Sequence, residues 1–164
     1  MKKIISTEAT NSNIAKVKDL LADTPLKLES LSKRLPAEQL SQPLGSGERS
    51  FTEDLAHLIN CEARSFEAIY LALLAEEPVF IDIHPERQLG KLLRFDLLAF
   101  SDLIAYFKLR RTVLLRVLDA LSEVQWSRSI REAGKKRKES VYWRARSIAM
   151  HELEHLLAME GKII

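Results

Sequence analysis

The sequence predicts an all-α protein, a four-helix bundle with a long crossover between helices 2 and 3. Glycine and proline number only five each and cluster in a few places, leaving long runs of helix-favouring Leu, Ala, Glu, Lys and Arg. Apolar residues recur at spacings of three and four in four separate segments. No internal repeat is visible, and no sheet is expected.

The first segment runs from about Ser12 to Leu35, with Ile14, Val17, Leu20, Leu21, Leu28, Leu31 and Leu35 on its apolar face. Pro25, after Asp23 and Thr24, is expected to kink this helix or restart it. Pro36 to Gly47 form a loop, because Pro36, Pro43, Gly45 and Gly47 break any continuing helix. Ser50-Phe51-Thr52-Glu53 then fits a capping box and opens a second helix that runs to about Glu76, with Leu55, Ile59, Glu62, Phe66, Ile69, Tyr70 and Leu73 on one broad face.

From Glu77 to about Phe95 lies a connection with Pro78, Pro85 and Gly90. At ~3.3 Å per residue it can cross the whole bundle and make the second and third helices parallel. The third helix, about Asp96 to Ser122, carries Leu103, Phe107, Leu114, Val117 and Leu121; a polar connection, Ser127 to Glu139, leads to a last helix from about Ser140 to Glu160. Four long helices, each with one apolar stripe, define the bundle.

At 164 residues, 46% hydrophobic and 29% charged, the chain is read as a single domain over residues 1–164. A chain of this length buries roughly 70% of its unfolded surface, enough for a core without disulfides. Twenty-five basic against 23 acidic residues give a net charge of +2, which makes no electrostatic case for nucleic acid or an acidic membrane as partner. The basic run Lys135-Lys136-Arg137-Lys138 reads as a solvated loop. A single cysteine, Cys61, and the absence of a leader pattern or an 18-residue apolar run lead to the expectation of a cytoplasmic protein.

The four histidines, His57, His84, His151 and His155, carry the chemistry. His151 and His155 are four apart on one helix, so both imidazoles project from one face within reach of a single ion. Such a pair also occurs on ordinary helix surfaces. His57 can supply a third nitrogen from across the bundle, while His84, in a loop before Pro85, is the poorest ligand of the four. At 100° per residue His57 shares an arc with Cys61, Ser65, Ala68 and Ala72, and the last helix shows Ser147 and Ala158 on its histidine face, with Arg144 seven residues before His151. Small neighbours leave room for a pocket. Cys61 is expected to be buried as a small apolar residue. Glu152 is read as a solvent-facing or ligand-supporting residue rather than a proton carrier. His151-Glu152-Leu153-Glu154-His155 matches the zincin string, but the only downstream candidate, Glu160, faces away on the same helix, which argues against a metalloprotease.

Taken in order, Asp23-Thr24-Pro25 with Leu28 and Leu31, Ser50 through Leu58 with Glu62, Phe107 to Arg111, Gln125-Trp126-Ser127-Arg128, and Ile148 through Leu156 resemble the DinB/YfiT-like superfamily of metalloenzymes, over nearly the whole chain. The resemblance implies a four-helix bundle in which His57, His151 and His155 hold a divalent metal ion. Where that family commonly carries a tryptophan before the second-helix serine, this chain has Arg49. The resemblance also implies thiol-dependent transfer or rearrangement with low-molecular-weight bacterial thiols.

Three neutral imidazoles leave a divalent ion with an open position, the arrangement of a catalytic site. Zinc and nickel both suit imidazole ligation. The expected function is therefore that of a divalent-metal-dependent enzyme, a transferase or hydrolase acting on a small-molecule substrate through an activated thiol or water. The rival expectation is a non-catalytic helical binding module with a vestigial or structural metal site. Homodimerisation stays open under both.

Overall fold

The computed structural model describes residues 5–43 and 45–163, the side chain of Glu86 excepted. Four long helices dominate: α1 (Asn11–Ser32), α2 (Phe51–Leu74), α4 (Phe100–Asp119) and α6 (Val141–Glu160). Two shorter ones, α3 (Lys91–Leu93) and α5 (Glu123–Ser127), lie in the connections. Three of the long helices start on a side-chain cap. Thr10 Oγ1 accepts from Asn13 N, Ser140 Oγ accepts from Trp143 N, and Ser50 and Glu53 form the full reciprocal capping box. No described helix is long and apolar enough to cross a membrane.

The direction of each helix follows from which of its ends meets which. One apolar cluster joins Leu28 and Leu31 from the end of α1, Phe51, Leu55 and Ile59 from the start of α2, Phe100, Leu103 and Phe107 from the start of α4, and Leu156 and Met159 from the end of α6. The other joins the opposite ends, including Val17, Ile69, Leu118 and Tyr142. Helices α2 and α4 therefore run parallel to each other and antiparallel to α1 and α6, as the length of the crossover allows and the family resemblance implies. That crossover, residues 75–99, carries strand β1 (Val79–Phe80), a six-residue π-helical turn (Pro85–Gly90), α3 and a 3₁₀ turn (Phe95–Leu97), so α4 begins four residues later than its periodicity suggests.

A small sheet is the main departure from expectation. β1 pairs in parallel with β2 (Ser129–Glu132), through Val79 with Arg131 and Phe80 with Glu132, and β2 pairs antiparallel with β3 (Lys138–Ser140). Strands of two to four residues are too short to leave a period in sequence, and β1 finds its partner about 50 residues downstream. The sheet pins the start of the crossover to the segment before α6. Arg128 fastens the same corner by donating to the carbonyls of Ala72 and Ala75 at the end of α2. The basic run is exposed, as expected of a solvated segment, with surface contacts from Lys135 to Glu132, from Lys138 to Glu77, and from the Arg137 guanidinium, 4.6 Å from the Trp143 ring centre.

Between the two apolar clusters lies an ionic layer. Glu62 from α2, Arg111 from α4 and Glu152 from α6 are all almost fully buried. Arg111 Nη2 donates to Glu62 Oε2 at 2.7 Å and to Glu152 Oε1 at 2.6 Å, and Nη1 donates to Glu152 Oε2 at 3.0 Å. Pro25 supplies a further acceptor. It does not restart α1, which is one helix from Asn11 to Ser32, but its missing N–H leaves the Leu21 carbonyl without a helical partner, and Arg111 Nη1 donates to that carbonyl instead. One guanidinium thus ties all four long helices at mid-height.

Candidate metal centre

His57 sits two turns into α2, behind the capping box that sets where that helix begins. His151 and His155 lie one turn apart near the end of α6, and because α2 and α6 are antiparallel the three rings meet at one level. Ring centres are 5.2 Å apart for His57 and His151, 4.8 Å for His57 and His155, and 4.7 Å for His151 and His155. His57 Nε2 and His151 Nε2 are separated by 3.4 Å. Cys61 Sγ lies 3.7 Å from His57 Nε2, and donor atoms of His57, Cys61 and His151 all fall within 4.8 Å of one another. Cys61 is therefore half-buried beside the rings, not sequestered in the core.

His155 has a carboxylate behind it: Asp54 Oδ1 lies 3.4 Å from its Nδ1. A carboxylate there favours the tautomer with the proton on Nδ1 and leaves Nε2 with a lone pair. Burial pushes the Asp54 carboxyl up, but the hydrogen bond and charge of His155, with Arg49 and His57, outweigh it and hold the group below the usual carboxylate range. His151 is pushed down to about 4 by burial, by the neighbouring His155 and His57, and by Arg49, so its ring is neutral at physiological pH. The donor atoms close enough together to hold one metal ion are those of His57, Cys61 and His151, with His155 packed beside them against Asp54.

The ionic layer stands directly behind these rings. Glu152 follows His151 in sequence and Glu62 follows Cys61, so the helix positions that turn the candidate ligands outward turn both carboxylates inward onto Arg111. Burial pushes both carboxyls up, Glu62 to about 7 despite Arg111 and Arg110. Glu152 accordingly does not face solvent, which corrects the sequence reading. The reading also passed over Arg111 and Asp54. Arg111 had a signal, since it falls between Phe107 and Leu114 on the buried stripe of its helix. Asp54 had none, because its partner is about 100 residues away. His84 stays apart: it is exposed in the crossover, where its Nδ1 accepts from Arg87 N at 3.2 Å.

Two clefts open on the rings from either side of the π-helical turn. One, of about 370 Å³, reaches His57 and includes Arg49, Asn60, Gly90 and Lys91 in its walls. The other, of about 220 Å³, reaches His151 past Cys61, Ser65, Ser147 and Pro85. The serines are those that helical phase places on the histidine faces.

A four-helix bundle with a parallel middle pair, three histidines clustered between α2 and α6, and clefts that reach two of them, His57 and His151, defines a class of bundle built around an accessible polar centre. The chain belongs to the DinB superfamily, whose sequence model matches residues 20–159. Among solved structures it is similar to YfiT from Bacillus subtilis, described as "a probable metal-dependent hydrolase with an unusual four-helix bundle topology". That likeness has a TM-score of 0.84 at 16% identity, covering 96% of this chain and 89% of the other, and it establishes the fold. No curated protein matches the sequence.

Proposed function

We propose that the protein is a divalent-metal-dependent enzyme acting on a small molecule, with His57, His151 and His155 as the metal ligands. The observation that carries this reading is the meeting of three imidazoles from two helices, two of which, His57 and His151, line open clefts. Membership of the DinB superfamily and the likeness to YfiT support it. A zinc or nickel ion bound there supplies Lewis-acid activation of a water or of a small thiol at neutral pH.

The chain's own residues prepare the site for that role. Asp54 orients the His155 ring, and burial keeps His151 unprotonated. Arg111, gripping Glu62 and Glu152, fixes the rotational phase of α2 and α6 and hence the directions of His57 and His151. The thiol nearest the rings, Cys61 Sγ, lies 3.7 to 3.8 Å from the His57 ring, which this reading assigns to the metal. Activation of the nucleophile therefore falls to the bound ion, and the substrate enters by a cleft.

Elemental analysis of protein purified without a histidine tag tests the ligand set, with one divalent ion per chain as the expected result. Protein that stays metal-free through a zinc or nickel titration overturns the proposal. Cobalt substitution then separates the two chemistries. A thiolate-to-cobalt charge-transfer band on adding cysteine supports thiol activation, and an unchanged spectrum at saturating cysteine restricts the enzyme to hydrolysis.

A further inference from the structure

The parallel pair α2 and α4 carries an apolar seam on its outer face. Ala63, Tyr70, Leu71 and Leu74 of α2 and Leu109 and Val113 of α4 line a groove there of about 520 Å³. Leu74, Leu109 and Val113 are 85, 64 and 48% exposed. Single apolar side chains on a surface are ordinary, but a contiguous row of them along two helices marks a surface that meets a partner. The seam is closed at its His57 end. There the Arg110 guanidinium lies 5.2 Å from the Phe66 ring centre and 5.5 Å from that of Tyr106, and the Phe95 ring of the crossover meets Tyr106 at 5.7 Å. The open stretch runs from Ala63 to the end of α2.

Two charges of opposite sign flank this stretch. Glu67 of α2 lines the groove, and Arg116 follows Val113 by three residues and Leu109 by seven, on the same stripe of α4. Both are exposed, and neither makes an ion pair among the described residues. The bond from Arg110 Nε to Glu62 Oε1, 3.2 Å long, ties the two helices at one height. Glu67 lies five residues beyond that tie on α2 and Arg116 six beyond it on α4, so at about 1.5 Å of rise per residue they stand at nearly the same level on opposite sides of the seam. A two-fold axis running along the helices, between α2 and α4, exchanges the two sides and keeps the level. It lays α2 of each copy on α4 of the other and brings the acid of each against the base of the other. The face is complementary to itself. Along about 16 Å of two adjacent helices each copy covers roughly 500 Å², and the pair reaches the ~1,000 Å² at which specific interfaces begin.

We propose that the α2–α4 seam is a homodimer interface, covered by a second copy of this chain in a two-fold arrangement, with Leu74, Leu109 and Val113 buried at its centre and Glu67 paired with Arg116 of the partner subunit on both sides. Cys61 and Ser65, which line the cleft to His151, lie on the opposite side of α2 from Ala63 and Glu67, so the dimer leaves that cleft open.

Sedimentation equilibrium of the full chain from about 1 to about 500 µM tests it. The mass is expected to rise with concentration from 18.7 kDa toward twice that value and no further, because a two-fold contact closes at two copies. Leu109→Glu puts a charge at the centre of the seam and is expected to hold the protein monomeric throughout. Glu67→Arg and Arg116→Glu each set like charges against one another twice, and each should weaken the dimer more than about tenfold. Mixed in equal amounts, these two variants should form a heterodimer about as tight as the wild-type dimer, since each then meets the opposite charge. Recovery on mixing also separates a lost contact from a lost fold, which mixing does not repair. The proposal is overturned by a protein that is monomeric at every concentration, by a dimer that survives Leu109→Glu, by a mixture that associates no better than either variant alone, or by growth beyond two copies.

Discussion

Replacing Arg111 by methionine removes the one cation that reaches two buried carboxylates and the Leu21 carbonyl. Methionine keeps most of the volume and the helix propensity, so the loss is electrostatic. Breaking a buried ion pair from one side costs about 3–5 kcal/mol, because the remaining charge stays desolvated. For a domain of this size that lowers Tm by about 10–15 °C. The deficit should depend on pH. The raised Glu62 value means that the folded state holds a proton which the unfolded state releases above about 4.5, so carboxylate ionisation opposes folding progressively as pH rises through about 7. Without Arg111 that opposition grows, and the variant should be weakest at pH 8 and recover toward pH 5. Thermal and urea unfolding followed by far-UV circular dichroism at both values measures this. The triple variant Glu62→Gln, Arg111→Met, Glu152→Gln should be less destabilised than Arg111→Met alone, since no charge is then left unpaired. A loss below about 1 kcal/mol, or one equal at pH 5 and pH 8, refutes the idea that Arg111 holds two charged carboxylates together.

Other substitutions probe the site in front of this layer. His57→Ala and His151→Ala should each abolish stoichiometric binding of a divalent ion, read by elemental analysis after zinc dialysis. Cys61→Ser should retain the metal, because the three imidazoles suffice, and clear loss of stoichiometry in that variant would make the thiol a ligand. In the metal-free protein His151, lowered to about 4 from its usual 6.5, resists protonation in the folded state while the unfolded chain takes up the proton. Stability relative to His151→Gln is therefore fully present above 6.5 and is lost as pH falls toward 4, by about 1–2 kcal/mol once partial solvent screening of a half-exposed ring is allowed for. Urea midpoints of the two proteins across that range check the sign.

The four long helices, the capping box at Ser50 and the parallel middle pair were all legible in the sequence. Helix periodicity, cap chemistry and connection length are local properties, and each is written in consecutive residues. The pairing of His151 with His155 was local in the same way, being one helical turn. What joins distant segments was legible only in part: the sequence points to His57 reaching across the bundle, but not to the groups packed behind the rings. His57 reaches His151 only because α2 and α6 pack antiparallel at one register, and Asp54 backs His155 for the same reason. Glu62 and Arg111 fall on the apolar stripes of their helices in sequence, but only the assembled bundle shows that they and Glu152 turn inward onto one another. Pro25 looked like a helix breaker, yet the carbonyl it orphans is claimed by a guanidinium 90 residues away. Local propensity decides which segments become helices, and packing decides which polar groups face one another, because a buried charge is stable only where the rest of the chain has placed its partner.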